Sequence, residues 1–261
     1  MKYPTSTRYR LPQDTPRPIR QLLERVVPHI HRIIGRNLIG IYLHGSLAMG
    51  SFQLRSSDID MILVVQKEAC KTTRKRIIQY LDAVRSGDAS IEISVFSEEV
   101  LRRPKYPIKV NLRYDYPDNI FENERDKEVL AHLFETRERG FLVWGKPVRE
   151  VFSAIPACWY LLASVHDLRH TRRYLLKNPS YWVLNACRTI AFNKTHRVFS
   201  KPEGGEWAGS NLPPKYHDLI NRILSCHRKR TYRGRIAWNV RELKEFADYF
   251  FKAIKTQPHN Q

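Results

Sequence analysis

Cysteine is scarce in this 261-residue chain: there are four, Cys70, Cys158, Cys187 and Cys226, none of them in a C-x-x-C pair. That scarcity excludes a disulfide framework and a structural zinc site built on paired cysteines, and it predicts reduced, mostly buried thiols. Long apolar runs are missing too. No stretch approaches the roughly 18 uninterrupted apolar residues of a membrane helix. The N-terminal MKYPTSTRYRLPQDTPRPIR has charges and prolines where a secretion signal has an apolar core. A cytoplasmic protein is the expectation. Negative charge is in short supply, with 26 Asp and Glu against 45 Lys and Arg and a formal net charge of +19. Such a balance predicts attraction to anionic substrates and phosphate-rich partners. The imbalance is uneven: residues 151–261 hold nineteen basic residues against seven acids, whereas DYPDNIFENERDKE (115–128) holds six acids against two bases.

With 42% hydrophobic residues, the chain can bury two modest cores. TPRPIRQLLERVVPHIHRIIGRN has helical apolar spacing and stops near Gly35, LIGIYL (38–43) is a short strand, and LRSSDIDMILVV contains a second. KEACKTTRKRIIQYLDAVRSG reads as a helix closed by Gly87, SIEISVF (90–96) alternates as a third strand, and RDKEVLAHLFETRERG is a helix stopped by Gly140 before the strand FLVWGKP. From about residue 155 the periodicity is helical throughout, with four helix candidates in CWYLLASVHDLRHTRRYLLKN, SYWVLNACRTIAFNK, PPKYHDLINRILSCHR and VRELKEFADYFFKAI. The expected architecture is therefore an α/β domain over 1–154, a small mixed sheet with flanking helices, followed by an all-α helical bundle over 155–261.

Within the α/β domain, Asp58 and Asp60 interrupt an apolar strand. Residues i and i+2 of a strand share a face, so the two carboxylates stand side by side while Ile59, Met61 and Leu63 turn to the core. Two such carboxylates repel unless a cation lies between them, and hard oxygen donors at that spacing suit Mg²⁺. Upstream, Gly45-Ser46 follows the strand LIGIYL, where free backbone N–H groups and a hydroxyl can hold a phosphate. Glu92 lies on the polar face of SIEISVF, from which it can reach the same place as a third metal ligand, as a general base, or as both. Its bland alternative is an exposed edge-strand acid. A phosphate turn beside a divalent-cation site is the apparatus of nucleotidyl transfer.

The pattern Gly45-Ser46, eleven residues, Asp58-Ile59-Asp60 and then Glu92 resembles the nucleotidyltransferase superfamily that includes DNA polymerase beta. LAHLFETRERGFLVWGKPVREVF (130–152), YWVLNACR (181–188) and SKPEGGEWA (200–208) resemble the streptomycin/spectinomycin adenylyltransferases, over roughly residues 20 to 255. The resemblance implies an enzyme that moves AMP from Mg-ATP to a hydroxyl of an aminocyclitol antibiotic, and a monomer is expected. It implies that Ser46 and Ser57 touch phosphates, that Asp58, Asp60 and Glu92 hold Mg²⁺ with Glu92 as the base, and that Arg188 and Lys201 of the helical domain hold the triphosphate.

Streptomycin-modifying members carry a Trp and two Asp just upstream of the segment matching YWVLNACR, where this chain has Arg169, Tyr174 and Asn178. Spectinomycin is accordingly favoured over streptomycin as the acceptor. The island Asp115, Asp118, Glu122 and Glu124, with Tyr114 and Tyr116, could line the acceptor side or be a solvated loop. Basic runs such as RHTRRYLLK and CHRKRTYRGR leave open an acceptor hydroxyl on RNA or protein, and a third reading is a nucleotide-binding regulator without catalysis.

Overall fold

Ile19, Leu22, Leu23, Val26, Val27, Ile30, Ile33 and Ile34 recur at helical spacing, and in the computed structural model they form the buried stripe of α1 (Arg17–Ile34). Pro18 lies in its first turn, where a missing N–H breaks no intrahelical bond, and Gly35 ends it at φ 62°. The structure describes residues 9–54, 56–84, 90–115, 119–229 and 238–254. Two compact units divide between Ile155 and Pro156.

After α1 the first unit runs β1 (Leu38–Leu43), α2 (Gly45–Ala48), β2 (Ile59–Val65), α3 (Lys71–Ala83), β3 (Ile91–Ser97), α4 (Glu98–Arg102), β4 (Ile108–Asp115), β5 (Asn119–Asp126), α5 (Val129–Arg139), β6 (Phe141–Gly145) and α6 (Val148–Val151). The six strands form one mixed sheet in the order β5-β4-β3-β2-β1-β6. Only β2 and β3 pair in parallel, and α3 supplies the crossover such a pair requires. Ile59, Met61, Leu63 and Val65 join the α1 stripe in one core, while the alternate residues Ile62 and Val64 are buried on the other face. Burial on both faces explains why β2 is an unbroken apolar run once Asp60 is passed.

The sheet has two strands beyond the four expected, β4 (IKVNLRYD) and one that local patterning hides. NIFENERD, in the acidic stretch, is β5, an edge strand paired to β4 from Asp115↔Asn119 to Ile108↔Asp126. Charged side chains are what keep an exposed edge from pairing further, so its alternation does not read as apolar against polar. The helix expected over 67–87 is shorter, at Lys71–Ala83, and Gly87, its expected stop, lies outside the described residues.

The second unit contains α7 (Ala157–Thr171), α8 (Pro179–Thr195), α9 (Lys201–Asn211), α10 (His217–Lys229) and α11 (Val240–Ala253). α8 is its axis: Trp182, Val183, Leu184, Ala186, Cys187 and Ile190 are all buried in the same core as Leu219, Ile223, Phe246 and Phe250. Four helices were expected and α9 is a fifth, disguised by the glycines of KPEGGEWAGSN. Those glycines serve packing, because a Cβ on Gly204 would lie 2.6 Å from the Arg188 Cα and one on Gly205 2.6 Å from a Leu224 methyl. The legible signal was the capping box, in which the Ser200 hydroxyl accepts from the Glu203 N–H and the Glu203 carboxylate accepts from the Ser200 N–H. Buried thiols are realised at Cys187 and Cys226, while Cys158 is half-buried and Cys70 exposed. Among the described residues no helix is long and apolar enough to cross a membrane.

Candidate active site

At the end of β1 the His44 N–H donates to the Asp60 carbonyl at 3.1 Å, and Gly45 turns the chain with φ 61° into the single turn of α2. A side chain at Gly45 is excluded for a second reason: its Cβ would overlap the Asp60 carboxylate. The turn and the acid, fifteen positions apart in sequence, are thus in direct contact. Ser46 is half-buried in α2 beside them. The His44 ring is buried against His132 of α5, with centroids 4.9 Å apart.

Asp60 and Glu92 are register partners across the parallel β2–β3 pair. Neighbouring strands lie about 4.8 Å apart and partnered residues share a face, so the two carboxylates are adjacent. Asp58 precedes β2, is exposed, and accepts the Ser90 hydroxyl on Oδ1. The Ser57 Oγ accepts from the Gln53 N–H at 3.0 Å, closing the local loop.

Burial pushes the Glu92 carboxyl up to about 9, and the negative charges of Asp60, Asp115 and Asp58 push the same way, with Arg113 opposing them. Crowded hard oxygens that cannot all ionise are what a divalent cation relieves. Among the described residues, however, no group of three or more His, Cys, Asp or Glu stands ready to hold a metal ion. The fit is therefore to the Asp60–Glu92 pair, and Asp58 would join it by giving up Ser90.

Arg113 is the site-adjacent residue that sequence reasoning missed. It sits on β4 opposite Ser94, and its guanidinium donates to Asp126 at 2.7 Å and Asp115 at 3.4 Å. The antiparallel pairing that brings it near Glu92 has no local signature. The same contacts decide what the acidic island does: Asp115 and Asp126 hold Arg113, and Glu122 accepts from the buried Arg74 at 2.6 Å. Tyr114 is buried in the core with its hydroxyl donating to Asp82, so its ring stacks on nothing from solvent. Tyr116 and Asp118 lie outside the described residues. Glu122→Gln is accordingly expected to lower stability by about 1 kcal/mol, because Arg74 keeps only a neutral acceptor. Acceptor KM should stay within about twofold, and a selective rise in KM without loss of melting temperature would make Glu122 an acceptor contact.

In the second unit, Arg188 is half-buried on α8 with Gly204 of α9 against its backbone. Lys201 opens α9, and its ammonium lies 4.9 Å from the Tyr181 ring centroid, whose hydroxyl donates to Asp167 at 3.1 Å. Burial, with Lys201 and Arg228 nearby, pushes His227 down to about 4. Arg188 and Lys201 are thus carried by two helices of the second unit that pack tightly on each other. The buried Oδ1 of Asn185, one turn before Arg188, has no hydrogen-bond partner among the described residues.

Residues 150–253 match the family model of the aminoglycoside adenylyltransferase C-terminal domain. A spectinomycin 9-adenylyltransferase from Staphylococcus aureus is 22% identical over 241 residues, covering 86% of this chain and 90% of the relative. One from Campylobacter jejuni is 20% identical over 263 residues, covering 90% and 95%. The fold is shared with the crystal structure of a spectinomycin adenyltransferase from Enterococcus faecialis with ATP and spectinomycin, at a TM-score of 0.75 and 18% identity, over 90% of this chain and 98% of that one. Residues 150–253 thus match the aminoglycoside adenylyltransferase C-terminal domain, and the chain is similar over nearly its full length to spectinomycin adenylyltransferases.

Proposed function

We propose that the protein is a monomeric O-adenylyltransferase that moves AMP from ATP to a hydroxyl of an aminocyclitol antibiotic, spectinomycin in preference to streptomycin, and so confers resistance. The observation that carries this reading is the register pair Asp60–Glu92 held against the Gly45 turn. In the reaction the acceptor oxygen attacks the α-phosphorus, the bond from that phosphorus to the bridging oxygen breaks, and pyrophosphate leaves with the electron pair. Mg²⁺, when bound, supplies positive charge that polarises the phosphates and offsets the carboxylates. Asp60 and Glu92 are the residues that would hold it, with Asp58. Glu92 takes the hydroxyl proton as attack begins, which requires its own proton to be lost first; added positive charge beside it brings its pKa down to the working range.

Gly45 and Ser46 would bind the phosphates through the turn, and Ser57 would join them by releasing Gln53. The helical unit, residues 155–261, would serve as the substrate- and nucleotide-binding domain, with Arg188 and Lys201 offsetting charge on the departing pyrophosphate. Support for spectinomycin comes from the names of the relatives and from the absence of an acidic reader at Arg169, Tyr174 and Asn178.

The test is pyrophosphate release from Mg-ATP with each drug. Spectinomycin is expected to be adenylylated with kcat/KM at least about tenfold above streptomycin, a difference of roughly 1.4 kcal/mol in transition-state binding. Expression in a sensitive host should raise the inhibitory concentration of spectinomycin. Tight ATP binding with transfer to neither drug would instead favour the regulator.

A further inference from the structure

The segment from the end of α7 to the start of α8 collects Arg169, His170, Arg172, Arg173, Tyr174, Leu176 and Lys177, nearly all of it exposed. Arg172 is paired with the carboxylate of Asp248. Among the described residues Arg169, Arg173 and Lys177 stand in no ion pair. The C-terminal end of α7 offers them about half a negative charge, which falls far short of offsetting three cations. Two of the exposed large hydrophobic side chains among the described residues, Tyr174 at 43% and Leu176 at 48%, lie in the same patch.

The cations are also held. The Arg173 guanidinium lies 4.8 Å and the Lys177 ammonium 5.9 Å from the Tyr174 ring centroid, while Arg169 lies 5.9 Å from that of Phe251 on α11. Packing on aromatic rings reduces the freedom these long side chains would lose on meeting a ligand. Held, unneutralised cations gathered within nine residues attract a phosphate backbone, and the apolar edge of Tyr174 with Leu176 offers a surface to an unstacked base. Two apolar side chains are too little to enter a lipid surface, where a continuous apolar face is needed.

We propose that residues 169–177 form a docking surface for single-stranded nucleic acid, a binding activity beyond the adenylyl transfer proposed above. The full-length protein should bind a fluorescein-labelled oligouridylate of about twelve nucleotides, read by anisotropy at 50 mM and 200 mM salt. The triple variant Arg169→Gln, Arg173→Gln, Lys177→Gln is expected to weaken binding about a hundredfold at low salt and to make the salt dependence shallower by about two in slope, since each lost contact to a single strand removes roughly 0.7. Removing the same charge from exposed positions of α3, by Lys71→Gln, Lys75→Gln and Arg76→Gln, should change affinity less than threefold. Asp248→Asn, which frees Arg172, should tighten binding several-fold. Undiminished binding by the first triple variant with an unchanged melting temperature, equal losses in both triple variants, or binding to phosphatidylserine vesicles in place of the oligonucleotide would each overturn the proposal.

Discussion

Glu92→Gln is expected to lower the rate of adenylyl transfer by 10²- to 10⁴-fold, the usual contribution of a positioned general base, and at the same time to make the protein more stable at neutral pH. Both follow from one fact. In the unfolded chain the carboxyl ionises near 4.5, whereas burial and the neighbouring acids hold the proton on it to about 9 in the fold. Between those values unfolding releases a proton, so the residue's favourable contribution is fully present below pH 4.5 and is lost as pH rises through about 9. Glutamine has the same shape and no proton to lose. The variant and the parent should therefore melt together near pH 4 and diverge as pH rises. At pH 8, without divalent cation, the variant is expected to be more stable by about 2 kcal/mol after allowance for solvent at the half-open site, or roughly 5 °C. ATP affinity should change less than about threefold. Retained turnover would remove Glu92 from the role of base, and parallel melting curves at pH 4 and pH 8 would show that its carboxyl is not the buried, crowded group described.

The second large effect belongs to Gly45→Ala. Any Cβ there overlaps the Asp60 carboxylate, and the backbone at φ 61° disfavours alanine besides. The strain alone costs about 1 kcal/mol. Displacement of Asp60 costs more, because an acid moved out of line with Glu92 loses its share of the shared charge; kcat/KM is expected to fall by more than about a hundredfold. Gly50 separates the two contributions. It too has positive φ, at 72°, but nothing lies within 4 Å of its would-be Cβ. Gly50→Ala should pay the backbone strain and leave turnover within about twofold. Equal activity in the two variants would mean that the contact between turn and carboxylate has no part in the chemistry.

Much of this arrangement was legible in the chain. The apolar runs of β1 and β2, the helical stripe of α1 and the acids spaced by one residue are local signals, and local signals survive in sequence. Parallel pairing carried Asp60 next to Glu92 because alternation fixed the faces on which both lie. What escaped is what depends on tertiary partners. β5 was disguised by the charges that protect a sheet edge, α9 by glycines whose purpose is a close approach to α8, and Arg113 by an antiparallel pairing that no nearby residue announces. The acids of the β4–β5 hairpin looked available to a cationic ligand, and three of them instead hold Arg74 and Arg113. Composition sees their charge but not what has already neutralised it.

The parallel ladder between β2 and β3 also bears on how such a chain can change over generations. Seven consecutive positions are locked together there, from Ile59↔Ile91 to Val65↔Ser97. A deletion or insertion of one residue inside either strand would throw Asp60 and Glu92 to opposite sides of the sheet at a stroke. Drift toward new acceptors must therefore proceed through the surrounding loops and helices, while this short stretch of backbone stays unaltered in length.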